Sequence, residues 1–317
     1  VGSEMCIRDS YVLEPAEPLP PMTQEDLEFE RFQIKAVSAI EEELDRILKT
    51  RKQSRIQTIA DMVIRNYGHL DEKINFYQNL RSLEDYVSRH SLNVAILCAM
   101  ITHVMNIRRE EQYHTVCAAL LHDMGKLKKH EDVYFGAPYS REDAIRNCET
   151  QEEAYSVIED AFATEGPAIR RICQQAAGKQ LDLFPEEGKE SRYKMLEGSN
   201  VLLVANRYDE ITAMTLQGTA QSEVKAAQEL LEHPEVYDPE TVQALLRSIN
   251  ILPPGASVEL STGEKALVLS ENEENVLCPT VVSFRDNSIL NLALPQNEDI
   301  QIVDVMKTMD NRYILKK

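Results

Sequence analysis

The sequence predicts a mainly α-helical protein that ends in a small antiparallel β domain. Between residues 25 and 231, apolar residues recur at three- to four-residue spacing over long segments, which is typical of amphipathic helices. From Val258 onward, short runs of β-forming residues alternate with Gly, Asn and Asp turn formers, which is typical of antiparallel strands. The two patterns meet at the segment "ILPPGASVEL", where the helical region is predicted to end.

The helical region divides into several predicted helices. Thr23, with acidic residues in the turn that follows it, is typical of a helix start. Residues 94–105 ("VAILCAMITHVM") are apolar almost all round, which predicts a helix buried inside a bundle. The run "VCAALL" is too short to classify alone, but its polar lead-in and Gly125 indicate the end of another buried helix. Further helices are predicted at residues 25–48, 56–63, 168–175, 193–213 and 221–231.

The β-rich region consists of five short runs separated by turn formers. The runs are "SVEL", "KALVLS", "CPTVVSF", "SILNLAL" and "DIQIVDV". Turn formers stand between them, for example Thr262-Gly263 and Asp286-Asn287. This alternation predicts a small antiparallel sheet or half-barrel.

The composition excludes several classes of protein. The 317 residues include 53 Asp and Glu against 34 Lys and Arg, a formal charge of −19, so the chain lacks the basic surface that a duplex-DNA binder needs. An anionic substrate would need a local basic pocket or a metal. No apolar run reaches the roughly 18 to 20 residues of a membrane span, and we expect a cytoplasmic protein. The six cysteines form no CxxC pair, which argues against disulfides and a thiolate zinc site.

His122 and Asp123 stand side by side after an apolar run, in "AALLHDMGK". Neighbours on a helix point about 100° apart, but at its last turn both side chains can be directed at one point. A buried carboxylate is costly unless it is paired or binds a metal, and imidazole with carboxylate suits Fe, Mn, Zn or Ni. The alternative is that Asp123 only begins a turn and His122 forms a hydrogen bond in the core.

Two other segments carry residues that could join this pair. His90 lies just before the buried helix at residues 94–105, where an unpaired imidazole would again be costly. In "VLLVANRYDEIT", Asn206 and Asp209 are predicted to face inward at three-residue spacing. The imidazole of His90 could thus face that of His122 across the bundle.

Together, these segments resemble the HD superfamily of metal-dependent phosphohydrolases, and its HD-GYP branch in particular. The family's leading histidine falls on His90 within "YVSRHSLNVA". Its His-Asp doublet, with a trailing Gly and Lys, falls on His122, Asp123, Gly125 and Lys126. Its "Val-Ala-Asp-x-Tyr-Asp-x-x-Thr" helix falls on "VANRYDEIT".

The resemblance implies a domain division. Residues 75–252 would form an HD-domain helical bundle, and residues 253–317 a small β-rich C-terminal domain of the kind often fused behind this branch. Residues 11–74 would form an N-terminal helical extension, which could serve as a homodimerisation or input segment. The first ten residues, "VGSEMCIRDS", lack periodicity and are predicted to be a non-native leader.

The resemblance also implies a mechanism and a substrate class. Metal ions held by His90, His122 and Asp123 would polarise a phosphodiester and generate a hydroxide nucleophile. Lys126 would steady a phosphate oxygen, which makes Asp123 and Lys126 the predicted catalytic residues. In the HD-GYP branch the substrate is a cyclic dinucleotide, usually cyclic di-GMP, which implies a role in bacterial signalling.

The chain departs from the branch at several ligand positions. A later metal-binding histidine is expected near Cys148 and is missing, and a pair of histidines is replaced by Gln174 and Gln175. The carboxylate of the "Val-Ala-Asp" helix is replaced by Asn206. These losses favour one divalent transition metal (Fe, Mn or Zn) over a multinuclear centre. Asn206 or Asp209 could complete its ligand set, although the other role of Asp209 is a hydrogen bond that fixes its helix.

Three functional hypotheses follow from these observations. The first is a divergent HD phosphodiesterase with one metal, acting on a cyclic dinucleotide or another nucleotide. The second is an inactive HD-GYP-derived module that signals by binding a nucleotide or a partner protein. In the third, the His-Asp doublet is incidental to a purely structural bundle.

Overall fold

The computed structural model describes residues 24–76, 78, 81–128, 140–184, 194–215 and 220–306. The predicted leader at residues 1–10 lies outside the described residues. So do residues 11–23, 77, 79–80, 129–139, 185–193, 216–219 and 307–317.

The described residues form a helical bundle followed by a five-stranded antiparallel sheet, which confirms the predicted fold class. The α-helices are α1 (Gln24–Thr50), α2 (Ile56–Tyr67), α3 (Tyr86–Val104), α4 (Arg109–Leu121), α5 (Arg141–Phe162), α6 (Gly166–Gln180), α7 (Glu197–Thr212), α8 (Glu223–Glu232) and α9 (Pro239–Ser248). The strands are β1 (Ser257–Leu260), β2 (Lys265–Ser270), β3 (Thr280–Ser283), β4 (Ile289–Asn291) and β5 (Ile302–Val305). Each of the five predicted β runs contains one strand, whereas α5 and α9 were not predicted.

Helix α3 lies at the centre of the bundle. It packs against α1, α2, α4, α7 and α9. Its side chains from Val94 to Ile101 are all buried, which explains why this stretch is apolar on every face. Because α4 and α7 both lie against α3, the ends of three buried helices can contribute to a single interior site.

The sheet packs onto the bundle through one edge strand. Its strand order is β4-β3-β2-β1-β5, with every neighbouring pair antiparallel. Strand β5 lies against α8, and Gln228 of α8 donates a hydrogen bond to the carbonyl of Ile302 at 3.0 Å. An ion pair of 2.6 Å between Lys73 and Glu271 joins the sheet to the segment before α3.

The apolar face of α1 packs into the same chain. Val37, Ile40, Leu44 and Ile47 of this helix are buried in the core, whereas Ile34 is exposed. The predicted homodimer through the N-terminal helices would therefore have to use their remaining faces, and it stays a prediction. No helix in the described ranges is both long enough and apolar enough to span a membrane.

The start of α2 is capped by a carboxylate from α1. The side chain of Glu43 is buried, and its oxygens accept hydrogen bonds from the backbone N–H groups of Ser54 and Arg55. The same carboxylate accepts from the Ser54 hydroxyl at 3.0 Å. Arg55 is the N-cap residue of α2, and Glu43 supplies the acceptor for its N–H group.

We expect Glu43→Ala to lower the free energy of unfolding by about 1–3 kcal/mol, because the hydrogen bonds that its buried carboxylate accepts from Ser54 and Arg55 are lost. Glu42→Ala is the matched control: Glu42 is the neighbouring residue, and its exposed ion pair with Arg55 should contribute less than about 1 kcal/mol. Urea unfolding followed by circular dichroism measures both. Equal losses in the two variants would contradict the capping role.

Candidate metal centre

The His-Asp doublet lies directly after the end of α4. Helix α4 ends at Leu121, and a short 3-10 helix begins at Met124. His122 and Asp123 lie at this break, which directs both side chains into the interior, where both are buried. The prediction that a helix end lets neighbouring residues face one point therefore agrees with the structure.

Gly125 allows α5 to approach this break closely. A Cβ atom on Gly125 would lie only 2.6 Å from the backbone oxygen of Thr150 and from Oε1 of Gln151. Gly125 also donates its N–H to that Gln151 oxygen at 2.9 Å. The glycine is thus required by close packing, and the contact places Gln151 beside Asp123.

Four potential ligand atoms converge at one buried point between α3, α4 and α7. The Nε2 atoms of His90 and His122 lie 3.1 Å apart. Oδ1 of Asn206 is 2.9 Å from each of these nitrogens. Oδ2 of Asp123 is 3.5 Å from Nε2 of His90. His90, His122 and Asp123 thus form the group within the described residues whose geometry could hold a metal ion.

Hydrogen bonds on the far side of each imidazole determine which nitrogen faces this point as an acceptor. Nδ1 of His90 donates to Oδ2 of Asp209 at 2.6 Å, and Nδ1 of His122 donates to the carbonyl of Ala119 at 2.7 Å. In a neutral imidazole the other nitrogen then carries a lone pair. Burial lowers the pKa of His122 to about 4, so its ring is neutral at physiological pH.

When both rings are neutral, four acceptors meet at this point with no donor between them. Lone pairs that face one another in a buried site repel unless a cation lies among them. For bonds of roughly 2.1 Å, adjacent ligand atoms lie about 3.0 Å apart around an octahedral ion and about 3.4 Å apart around a tetrahedral one. The separations of 2.9–3.5 Å given above fit a single first-row transition metal, whereas Nε2 of His122 lies farther from Asp123, 3.9 Å from its Oδ1.

Asp123 is held as a carboxylate by two neighbours. Nζ of Lys126 lies 2.7 Å from Oδ2, and Nε2 of Gln151 donates to Oδ1 at 3.1 Å. Burial by itself would raise the pKa of Asp123, but the Lys126 ammonium holds it well below its usual range. Lys126 is itself buried, so the predicted phosphate-binding lysine is ion-paired with a predicted metal ligand.

Asp209 lies behind the site rather than in it. Its carboxylate accepts from Nη1 and Nη2 of Arg81 at 2.7 and 2.8 Å, from Nδ1 of His90, and from Asn93 at 3.0 Å. Burial opposes ionisation, but Arg81 and His90 hold the pKa of Asp209 well below its usual range. Of the two alternatives for completing the ligand set, only Asn206 reaches the convergence point. Asp209 contacts the opposite nitrogen of His90, Nδ1, so this geometry does not support Asp209 as a ligand.

Three positions at which the resemblance to the HD-GYP branch predicts histidines do not contribute an atom to the convergence point. Gln174 contacts the carboxylate of Glu152, and Gln175 accepts hydrogen bonds from the N–H of Leu196 and the hydroxyl of Ser199. Neither glutamine borders the cavity at the centre. Cys148 does border that cavity, but burial raises the pKa of its thiol, so a thiolate ligand is disfavoured.

Several residues that the sequence did not point to support the centre. Arg81 binds Asp209, Gln151 binds Asp123, and the hydroxyl of Tyr155 donates to the carbonyl of His122 at 2.7 Å. Arg81 and Gln151 lie in polar stretches without periodicity, so no local pattern could have found them. The sequence did contain a pattern that could have identified Glu210. This residue follows Asn206 by four positions and therefore lies on the same face of the helix.

Glu210 is a second buried carboxylate beside the centre. Its Oε1 accepts from Nδ2 of Asn206 at 3.1 Å, and its Oε2 accepts from Gln180 at 3.2 Å. Burial raises the pKa of Glu210, although the positive charges of Lys126 and Arg207 oppose the shift.

A narrow cavity opens beside the convergence point. Its volume is about 30 Å³ among the described residues, which is enough for an ion and a water molecule. The polar groups on its wall include His122, Asp123, Lys126, Asn206 and Glu210. The cavity thus brings predicted ligands and the predicted phosphate-binding lysine to one space.

Comparison with known families supports this geometry. The family model for the HD domain matches residues 87–214, a range that includes His90, His122, Asp123 and Asn206. No curated protein and no solved structure matched the chain. This match supports the assignment of residues 87–214 to the HD superfamily.

Proposed function

We propose that the HD domain is a phosphodiesterase with a single divalent transition metal, Fe, Mn or Zn. The observation that carries the proposal is the convergence of two imidazole nitrogens, an amide oxygen and a carboxylate oxygen at one buried point. The residues that would hold the ion are His90, His122, Asp123 and Asn206. Asp209 and the carbonyl of Ala119 orient the two imidazoles from outside the ligand set.

The residues around the centre suit hydrolysis of a phosphate ester. A bound divalent metal supplies a Lewis acid that polarises a phosphoryl oxygen and makes water more acidic. Lys126 adds a positive charge on the wall of the same cavity, where it can contact an anionic oxygen. Gln151 and Lys126 together keep the Asp123 carboxylate oriented and ionised.

For the substrate we propose a cyclic dinucleotide, with cyclic di-GMP as the first candidate. The support is the resemblance of "YVSRHSLNVA", "HDMGK" and "VANRYDEIT" to the HD-GYP branch. On this proposal the protein acts in bacterial signalling in the cytoplasm. Residues 75–252 would be the catalytic unit, residues 11–74 an input or dimerisation segment, and residues 253–317 a β-rich appendage.

The second candidate function is binding without catalysis. It is favoured by the charge of the centre, because the Asp123 carboxylate is already neutralised by Lys126 and Asn206 carries no charge. A site with little net negative charge binds a divalent ion less strongly than one with several carboxylates. A nucleotide or a partner protein would then bind to the domain without being hydrolysed.

Protein purified without chelator should contain about one equivalent of Fe, Mn or Zn, and His122→Ala should lose it because one of two imidazole ligands is removed. His114→Ala is the control, since His114 lies on α4, the helix that leads to the doublet, but outside the cluster. Metal content is measured by inductively coupled plasma mass spectrometry. A wild-type protein that stays empty after incubation with each of the three ions would contradict the metal centre.

Metal-loaded protein should hydrolyse cyclic di-GMP or bis(p-nitrophenyl) phosphate, and Asp123→Asn should lower the rate by roughly 100-fold or more, because a charged ligand is lost. Lys126→Gln should also lower the rate but should retain the metal. Hydrolysis is followed by chromatography for the dinucleotide and by absorbance for the nitrophenyl ester. A wild type that holds metal and binds cyclic di-GMP, but hydrolyses neither compound, would support the binding module instead.

A further inference from the structure

The orientation of the Asn206 amide is unexpected for a side chain that faces two imidazole acceptors. An amide has an oxygen that accepts hydrogen bonds and an NH₂ group that donates them. If only the imidazoles acted on it, the NH₂ group would face the Nε2 atoms of His90 and His122 and donate to them. Instead the oxygen lies 2.9 Å from both nitrogens.

The opposite end of the amide explains this orientation. Nδ2 of Asn206 donates to Oε1 of Glu210 at 3.1 Å, one helical turn further along α7. A carboxylate can only accept, so it binds the NH₂ end of the amide and repels the oxygen end. Rotating the amide by 180° would place Oδ1 against the buried carboxylate oxygen.

Glu210 is itself held in place from its other side. Its Oε2 accepts from Nε2 of Gln180 at 3.2 Å and lies 3.5 Å from Nη1 of Arg207. Arg207 in turn donates to Glu229 through Nε at 2.6 Å. Gln180 and Arg207 therefore hold the Glu210 carboxylate next to Asn206. If the carboxylate moved away from Asn206, it would lose these contacts.

We infer that Glu210 is a positioning residue that directs the amide oxygen of Asn206 into the metal centre. The inference rests on the proposed function, because the oriented oxygen serves as a metal ligand there. The substitution Glu210→Gln would no longer fix the orientation of the Asn206 amide. A glutamine amide can accept a hydrogen bond from Asn206 or donate one to it, so either end of the Asn206 amide could face the imidazoles. An aspartate at position 206 would remove the need for control, because its two oxygens are equivalent.

These properties define a double-mutant test with Mn²⁺ as the probe. Dissociation constants are measured by isothermal titration calorimetry for the wild type, Glu210→Gln, Asn206→Asp and the double variant. We expect Glu210→Gln to weaken Mn²⁺ binding about tenfold in the wild-type background, as is typical for loss of a group that orients a ligand. In the Asn206→Asp background the same change should not weaken binding.

Equal weakening in both backgrounds would overturn the inference, because Glu210 would then act through its charge rather than by orienting an amide. No weakening in the wild-type background would overturn it as well. Glu229→Gln is the control for loss of a negative charge nearby: it removes a partner of Arg207 without touching Asn206, and Mn²⁺ affinity should not change. If Glu210→Gln does not fold, Glu210→Met replaces it, with the same expectations in both backgrounds.

Nuclear magnetic resonance of the metal-free protein separates this inference from the proposed function. Overhauser contacts from the Asn206 side-chain NH₂ should reach the Glu210 side chain in the wild type and the ring protons of His90 and His122 in Glu210→Gln. A wild type that binds no Mn²⁺ but shows this change would contradict the metal centre and support the role of Glu210. NH₂ contacts to the two rings already in the wild type would overturn the inference.

Discussion

The buried ion pair between Arg81 and Asp209 is the interaction on which the centre depends. Both side chains are almost completely excluded from solvent, and the guanidinium binds the carboxylate through two hydrogen bonds. Loss of one partner from such a pair typically costs about 3–5 kcal/mol, because the remaining charge stays buried. Since Arg81 precedes α3 and Asp209 lies on α7, the pair fixes the two helices that supply His90 and Asn206.

The same ion pair controls the chemistry of His90. Asp209 stays ionised because Arg81 is bound to it, and an ionised Asp209 accepts the Nδ1 proton of His90. The Nε2 lone pair is then directed at His122 and Asn206. The second carboxylate of the region, Asp123, is likewise balanced by the ammonium of Lys126. Each of these carboxylates thus has its own cation within the protein, so the fold does not need a metal to neutralise them.

The sequence predicted most of the fold because most elements carry a strong local pattern. The buried helix at residues 94–105 and the five β runs were predicted in this way. Helix α5 was missed because its sequence, "REDAIRNCETQEEAYSVIEDAF", is largely polar and has few apolar positions. Helix α9 was missed although Asp238 and Pro239 form an ordinary capped start and its 10 residues equal the length of α8, which was predicted.

The centre was predictable only where its residues belong to local motifs. His90, His122, Asp123 and Asn206 lie in three such segments, and the structure brings them together. The role of Asp209 was left open because three-residue spacing places it on the same face as Asn206. That spacing does not show that His90 lies between them, with one nitrogen toward each. Arg81 and Gln151 reach the centre through long-range contacts, which no local pattern encodes.

The charge balance also bears on which ions the centre can select. Mg²⁺ and Ca²⁺ prefer oxygen ligands and sites with several carboxylates. Here two of the four converging atoms are imidazole nitrogens, one is a neutral amide oxygen, and the only carboxylate is shared with Lys126. Imidazole nitrogen binds Zn²⁺ and Fe²⁺ more strongly than it binds these harder ions. On the proposed ligand set, the neutral oxygen of Asn206 in place of a carboxylate would therefore favour ions that bind through nitrogen. The affinity of the centre would then depend on the orientation of neutral groups more than on charge.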